Sequence, residues 1–472
     1  MPRLIPGQHI HIVGIGGFGM SALARVLLQQ GYYVSGSDRR LNALTQALEQ
    51  MGASIYKTED AQNVMGAEMV LATSAAQSDH VELAMARALN IPVYKRSDVI
   101  ADMMSGQVSI GVAGTHGKTT TTSMVVHILM ETQQNPSYII GGVLRNTGQN
   151  AGVGAGKAFV IEADEYDYMF LGLRPDVAVV TNIEYDHPDF FKTPNDMTRA
   201  FNQFVDLLPP DGVLIAGADS PTAAILAQNR LVAGLPVITF GARNPQASWR
   251  ATNIHIDEDY QTVFEVMREG ESLGTVRLQL PGEYNVLNAM AALIVADQQG
   301  VPFAEAARAL ASFQGAGRRF HARGEVGGVL VIDDYAHHPT AIRACLEAAK
   351  QRFPTRKLWA VWQPHTYSRT QALWDGYIAA FESADHVLLT DIYAAREDPV
   401  PGVSAAELAA AIRHDDVHHT PSLDDAVQYL LQHVEPPAAV LIMSAGDAPL
   451  IGVNYLKLRQ GKMDGDTAGQ AG

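Results

Sequence analysis

Short apolar runs of four to six residues, each closed by glycine or polar residues, alternate with helix-length segments along most of the chain. They lie at 9–13, 69–72, 108–113, 158–161, 177–180, 329–332, 358–362, 386–389 and 438–443. Near-continuous apolar strands between turns suit a parallel sheet buried on both faces, so the pattern predicts an α/β fold of doubly wound units. The alternation divides the chain into domains over 1–105, 106–316 and 317–472, and the small, polar stretch 460–472 predicts a disordered tail.

Length and composition narrow the picture. A chain of 472 residues, 47% of them hydrophobic, has room for two to four domains with substantial cores. Its 34 Lys plus Arg against 50 Asp plus Glu leave a net charge of −16, which excludes an electrostatic grip on nucleic acid or an anionic membrane. Any anionic ligand must therefore be held locally. Cys345 is the sole cysteine, so an intrachain disulfide and a thiolate zinc site are excluded and a reducing cytoplasm fits. The N-terminus lacks the apolar core of a signal peptide and no apolar run reaches about 18 residues, which also predicts a cytoplasmic protein without a membrane span.

The strongest chemical signal follows the strand at 108–113. Gly114-Thr115-His116-Gly117-Lys118-Thr119-Thr120 is a glycine-punctuated turn running into a helix. Its glycines let backbone N–H groups close on phosphate oxygens, Lys118 supplies a positive charge, Thr119 offers a hydroxyl to magnesium, and the helix directs its positive end at the same point. ATP is the expected ligand. The loop is a short Gly-x-x-Gly-Lys-Thr, because Val112 stands where the longer motif has its first glycine.

A second glycine loop, Gly14-Ile-Gly16-Gly17-Phe-Gly19-Met20-Ser21, follows the first strand, with Asp38 nineteen residues beyond Gly19. Alone it fits a dinucleotide fingerprint with Asp38 on a ribose, although the same turn holds any diphosphate. Asp38 is equally suited to cap a loop, and Thr73 and Ser74 to cap a strand end.

In the second domain, strands end in Glu162-Ala-Asp-Glu165-Tyr-Asp167 and in Thr181-Asn-Ile-Glu184-Tyr-Asp186-His187. Ligands collect at strand C-termini of open parallel sheets, so Glu162 and His187 are candidate metal ligands, with Asp164, Glu165, Asp167, Glu184 and Asp186 as supporting loop groups. Asn285 and Asn288 lie three apart on one helical face, where amides can read an adenine edge; helix capping competes for Asn285. In the third domain, polar groups at strand ends, Arg318, Asp334, His337, His365 and Arg369 among them, should close over a ligand held by the second.

These motifs, taken in order, resemble the Mur ligase family over the first 450 residues or so. The resemblance rests on residues 11–21, 114–120, 162–165, 181–187, 317–320, 333–340 and 363–365. It implies a three-domain α/β architecture: a Rossmann-like N-terminal domain binding a UDP substrate, a P-loop-type central ATPase domain, and a Rossmann-like C-terminal domain binding the amino acid. It also implies ATP-dependent amide formation in peptidoglycan precursor synthesis, with magnesium as cofactor and UDP-N-acetylmuramate and L-alanine as partners. By the same resemblance Lys118 clamps the transferred phosphoryl group and Thr119 and Glu162 hold one magnesium while His187 serves a second. Asn285 and Asn288 face adenine, Asp334 the ribose and Arg318 the phosphates. Gly14, Gly16, Gly17, Gly19, Met20, Ser21, Asp38, Thr73 and Ser74 are expected on UDP, and His337, His365 and Arg369 near the muramate carboxylate and the incoming amine. Tyr284 and Thr366 depart from the family pattern, and Asn202 stands where some relatives carbamylate a lysine. A branch that attaches a whole tripeptide is the alternative within the family. From other classes, an NAD-dependent oxidoreductase and a non-catalytic ATP-binding regulator stay open, as does a homodimer.

Overall fold

The computed structural model describes residues 4–77 and 79–470. Its strands form three sheets. The first is wholly parallel, in the order Ser54–Tyr56, Tyr33–Ser37, His9–Val13, Met69–Ala72, Val93–Lys95. The second has ten strands; its parallel core places Val108–Ala113 between Val177–Val180 and Ala158–Glu162. In the third sheet of six strands, Ala438–Met443 lies between Val329–Asp334 and Lys357–Trp362.

Burial explains the apolar runs. The helix Lys118–Glu131 is buried from Thr119 to Leu129, because it lies between the central sheet and the helix Glu283–Gln298. The second helix is apolar nearly all round, while the first buries a run of threonines, Thr119 to Thr122, before its apolar stretch begins.

The central sheet also contains pieces absent from the expected pattern. Trp249–Ile256, Thr262–Arg268 and Glu271–Leu278 form an antiparallel meander at one edge, and Ser137–Leu144 pairs with Gln149–Gly152 at the other. Trp249–Ile256 and Glu271–Leu278 are partly exposed along their length, and Gly141 and Gly142 break the apolar run of the mostly buried Ser137–Leu144, so these strands lack the continuous apolar signature.

The last helix runs from Pro449 to Gln470, and beyond it only 471 and 472 lie outside the described residues. Ile451 and Tyr455 are fully buried, while Arg459 donates to the carbonyls of Val326 and Val434, so the helix is anchored before the polar stretch begins. Cys345 is buried and unpaired. No helix among the described residues is long and apolar enough to cross a membrane.

The two inter-domain seams differ in kind. One hydrophobic cluster runs without a break from the first sheet into one face of the central sheet, joining Leu23 and Ile100 to Phe159 and Phe170. The two clusters flanking the third sheet contain only third-domain residues. The third domain therefore meets the second mainly through polar groups, which is the type of seam that opens and closes most readily.

Candidate active site

The strand ends converge on one cavity of about 970 Å³, lined by residues of all three sheets' domains. At its floor Gly114 (φ 136°) and Gly117 (φ 85°) adopt backbone conformations that favour glycine, and a Cβ on either would run into the Thr181 hydroxyl or the Asn288 amide. Glycine is thus required twice in this loop. Lys118 turns back over it, donating to the Gly114 carbonyl at 2.6 Å and to Glu165 Oε1 at 2.8 Å. Thr119 Oγ1 donates to Glu162 Oε1 at 2.9 Å, and the Gly141 N–H donates to Glu162 Oε2 at 2.7 Å.

Glu165, expected only in a supporting role, is completely buried, and its Oε2 has no hydrogen-bond partner. Burial raises its carboxyl above the ordinary range against the opposing pull of Lys118. Burial lowers the Lys118 ammonium, but Glu165, Asp164 and Glu162 outweigh it and hold the group above its ordinary value. Lys118 is therefore a fixed cation, with an oxygen beside it still unsatisfied.

A second buried pair joins the domains. Arg369 donates from Nε to Asp186 Oδ1 at 2.7 Å, from Nη1 to His365 Nδ1 at 3.0 Å and from Nη2 to His187 Nδ1 at 3.2 Å. Asp186 lies well below the ordinary carboxylate range: burial opposes ionisation, but the Arg369 charge prevails. His337 lies 3.7 Å from the same carboxylate and donates from Nδ1 to the Tyr335 carbonyl.

The remaining expected residues fall as follows. Asn285 donates to the Pro281 carbonyl, and Asn288 accepts from Thr121 and donates to Asn285, so both amides brace the helix beside the phosphate loop while lining the cavity. Thr115 donates to the Glu184 carbonyl, the His116 N–H donates to Asn182, and Thr120 lines the cavity. Asp334 accepts from the backbone N–H groups of Phe320 and Ala336. Arg318 is held by the Ser444 and Gly446 carbonyls, and it is Arg319 that reaches the cradle, donating to Thr119 Oγ1 at 3.3 Å. Nothing in the sequence separates these adjacent arginines. Arg318 has a positive φ of 60°, both arginines line the cavity, and their guanidinium groups lie 5.0 and 4.8 Å from the centre of the Tyr335 ring. His187, Phe320, Thr366 and Ala395 also have positive φ and also line the cavity.

In the first domain Asp38 accepts from the Gly16 N–H at 2.9 Å and caps its own glycine loop. Gly17 begins the helix at its N-cap, Met20 is buried, and the Ser21 hydroxyl donates to the Phe18 carbonyl. The Thr73 methyl packs at Gly14, and Ser74 donates to Asp167 of the second domain. Of the nine residues expected on UDP, Gly19 alone lines the cavity, with Arg96 folded over it.

Glu162 and His187 both line the cavity. Glu162 belongs with Thr119, and His187 Nε2 lies 3.8 Å from Glu165. A carboxylate with an adjacent hydroxyl is nevertheless an oxygen donor set suited to magnesium.

Three histidines of the third domain are held neutral: His337 and His338 at about 4 and His365 at about 3, all through burial first, then through the neighbouring charges of Arg369, His116 and Arg369 respectively. A histidine whose pKa is lower in the folded state stabilises fully above its unfolded value near 6.5 and loses that contribution as pH falls toward 4. We expect the urea midpoint to drop between pH 6.5 and pH 4, with His338 contributing up to about 3 kcal/mol, and the drop to be shallower in His338→Gln. An identical pH profile in wild type and variant would disprove the assignment.

A triphosphate cradle, acidic strand ends and a cationic third-domain face around one cavity define an ATP-dependent ligase class. Comparison with known proteins agrees. The chain matches the Mur ligase family catalytic domain over 9–108, the Mur ligase middle domain over 112–296 and the Mur ligase, glutamate ligase domain over 318–446. The chain belongs to the Mur ligase family. It is 43% identical to a UDP-N-acetylmuramate–L-alanine ligase from a Roseiflexus species over 94% of this chain and 98% of that one. It is 42% identical to the enzyme of that name from Syntrophotalea carbinolica, over 94% of this chain and 96% of that one. Among solved structures, UDP-N-acetylmuramate-alanine ligase from Thermotoga maritima superposes with a TM-score of 0.81 at 26% identity, covering 96% of this chain and 99% of that one. A murein peptide ligase from Psychrobacter arcticus gives 0.71 at 27% identity, covering 96% and 99%.

Proposed function

We propose that this chain joins L-alanine to the carboxylate of UDP-N-acetylmuramate at the expense of ATP, in peptidoglycan precursor synthesis. The observation that carries the reading is one cavity in which the Lys118 cradle of the second domain faces the Arg369, His365 and His337 surface of the third. Lys118 and Arg319 meet the phosphoryl oxygens from two domains, and neutralising that charge in a largely enclosed site is the main contribution available to the protein. Thr119 and Glu162 would hold magnesium, which when bound would offset the negative charge of the phosphate groups. A muramate carboxylate oxygen attacks the γ-phosphorus of ATP, the bond to the β-phosphate breaks and ADP leaves, so the carboxylate becomes an acyl phosphate. The amine nitrogen then attacks the acyl carbon, the C–O bond to phosphate breaks, and the amine loses a proton as the amide forms. Arg369, fixed by Asp186, positions the carboxylate-bearing partners, while the neutral imidazoles of His337 and His365 add no competing charge.

The test is a panel of amine donors with UDP-N-acetylmuramate and ATP, scored by phosphate release and product mass. L-alanine should react fastest. Glycine and L-serine should be slower by about 10- to 200-fold, the value of a methylene or hydroxyl in a small pocket. The tripeptide reading has support in the murein peptide ligase likeness, and faster joining of L-alanyl-γ-D-glutamyl-diaminopimelate than of L-alanine would establish it instead.

A further inference from the structure

Across the polar seam His116 and Glu184 of the second domain meet His338 of the third. One ligand atom from each lies within 4.8 Å of the others, the sole such group of histidine, cysteine and acidic residues among those described. The group shares no residue with the Thr119 and Glu162 pair and has different chemistry. His116 Nε2 is 2.7 Å from Glu184 Oε2, and His338 Nδ1 is 3.7 Å from the same oxygen. Tetrahedral ligation at about 2.0–2.1 Å separates ligand atoms by roughly 3.4 Å, between those two distances, so a small shift of the carboxylate would seat an ion.

The surroundings orient these groups as ligands. His338 Nε2 contacts the Tyr185 carbonyl at 3.2 Å; donating there leaves Nδ1 unprotonated toward Glu184. Competing for that nitrogen is the long 3.3 Å bond from the Thr340 N–H. Thr340 Oγ1 donates to Glu184 Oε1 at 2.7 Å, holding the carboxylate with Oε2 turned toward both rings. An imidazole whose second nitrogen donates to a carbonyl, beside a carboxylate braced by a hydroxyl, is the arrangement that supports metal-ligating groups. Glu184 and His116 line the cavity, so water can complete the coordination.

We propose that His116, Glu184 and His338 form a site for a divalent transition-metal ion of the zinc, cobalt or nickel type, assembled when the third domain is docked on the second. Two imidazoles and one carboxylate select such ions over magnesium, which prefers an all-oxygen shell. Because ligands come from both sides of the seam, a bound ion ties the domains together and slows their separation. The site stands whether or not the ligase reading holds.

Cobalt(II) titrated into the full-length protein in excess magnesium tests it. One equivalent should develop visible d–d absorbance, reversed by zinc. His338→Gln and Glu184→Gln should each weaken cobalt binding by about 100-fold or more, and Thr340→Val by about 10-fold through the carboxylate it orients. Thr119→Ala should bind cobalt as the wild type does, which separates this site from the magnesium pair. Zinc should raise the melting temperature of the wild type and leave that of His338→Gln unchanged. Absence of cobalt absorbance, or undiminished binding in either folded ligand variant, overturns the proposal.

Discussion

Lys118→Ala should lower turnover by about 1,000-fold or more, roughly 4 kcal/mol at about tenfold per 1.36 kcal/mol, with the protein still folded. The ammonium has two roles that the variant removes together. Toward the cavity it meets the phosphoryl group in flight, as the only lysine or arginine of the loop. Toward the interior it is 2.8 Å from Glu165, a fully buried carboxylate whose second oxygen already lacks a partner. Removing one member of such a pair leaves a buried charge uncompensated, so some loss of stability accompanies the loss of rate. The double variant Lys118→Ala/Glu165→Gln separates the two. It should recover much of the melting temperature and none of the turnover. Turnover within tenfold of wild type in either folded variant would remove Lys118 from the chemistry.

Arg369→Ala should detach the third domain. Arg369 and Asp186 are each about 3% exposed and lie on opposite sides of a seam that shares no hydrophobic cluster. An unpaired buried carboxylate costs about 3–5 kcal/mol, and here the protein can avoid that cost by opening the seam and hydrating Asp186. Small-angle scattering should therefore show a larger radius for the variant, together with a collapse of ligation and an unfolding profile of separate steps. Arg369→Lys should restore only part of the compactness, because an ammonium cannot reach Asp186, His365 and His187 at once as the planar guanidinium does. An unchanged radius in Arg369→Ala would mean that other contacts fix the third domain.

The local chemistry of the chain is legible in its residue order. Alternating apolar runs specify parallel strands because both faces of such a strand are buried, and the glycine spacing at 114 and 117 specifies a phosphate turn because the turn needs positive φ there. Short-range rules reach that far and stop. Which acids matter is decided by tertiary packing: Glu162, Glu165, Glu184 and Asp186 look alike as strand-end carboxylates, yet Glu165 is sealed against Lys118, Asp186 against Arg369, and Glu184 lies between two histidines. Each of the last two roles depends on a partner more than 150 residues away. The choice between Arg318 and Arg319, the meander from Trp249 to Leu278 and the anchored last helix are likewise settled outside the local sequence. Residue type and spacing determine what a side chain can do; burial and the charge brought opposite it by folding determine what it does.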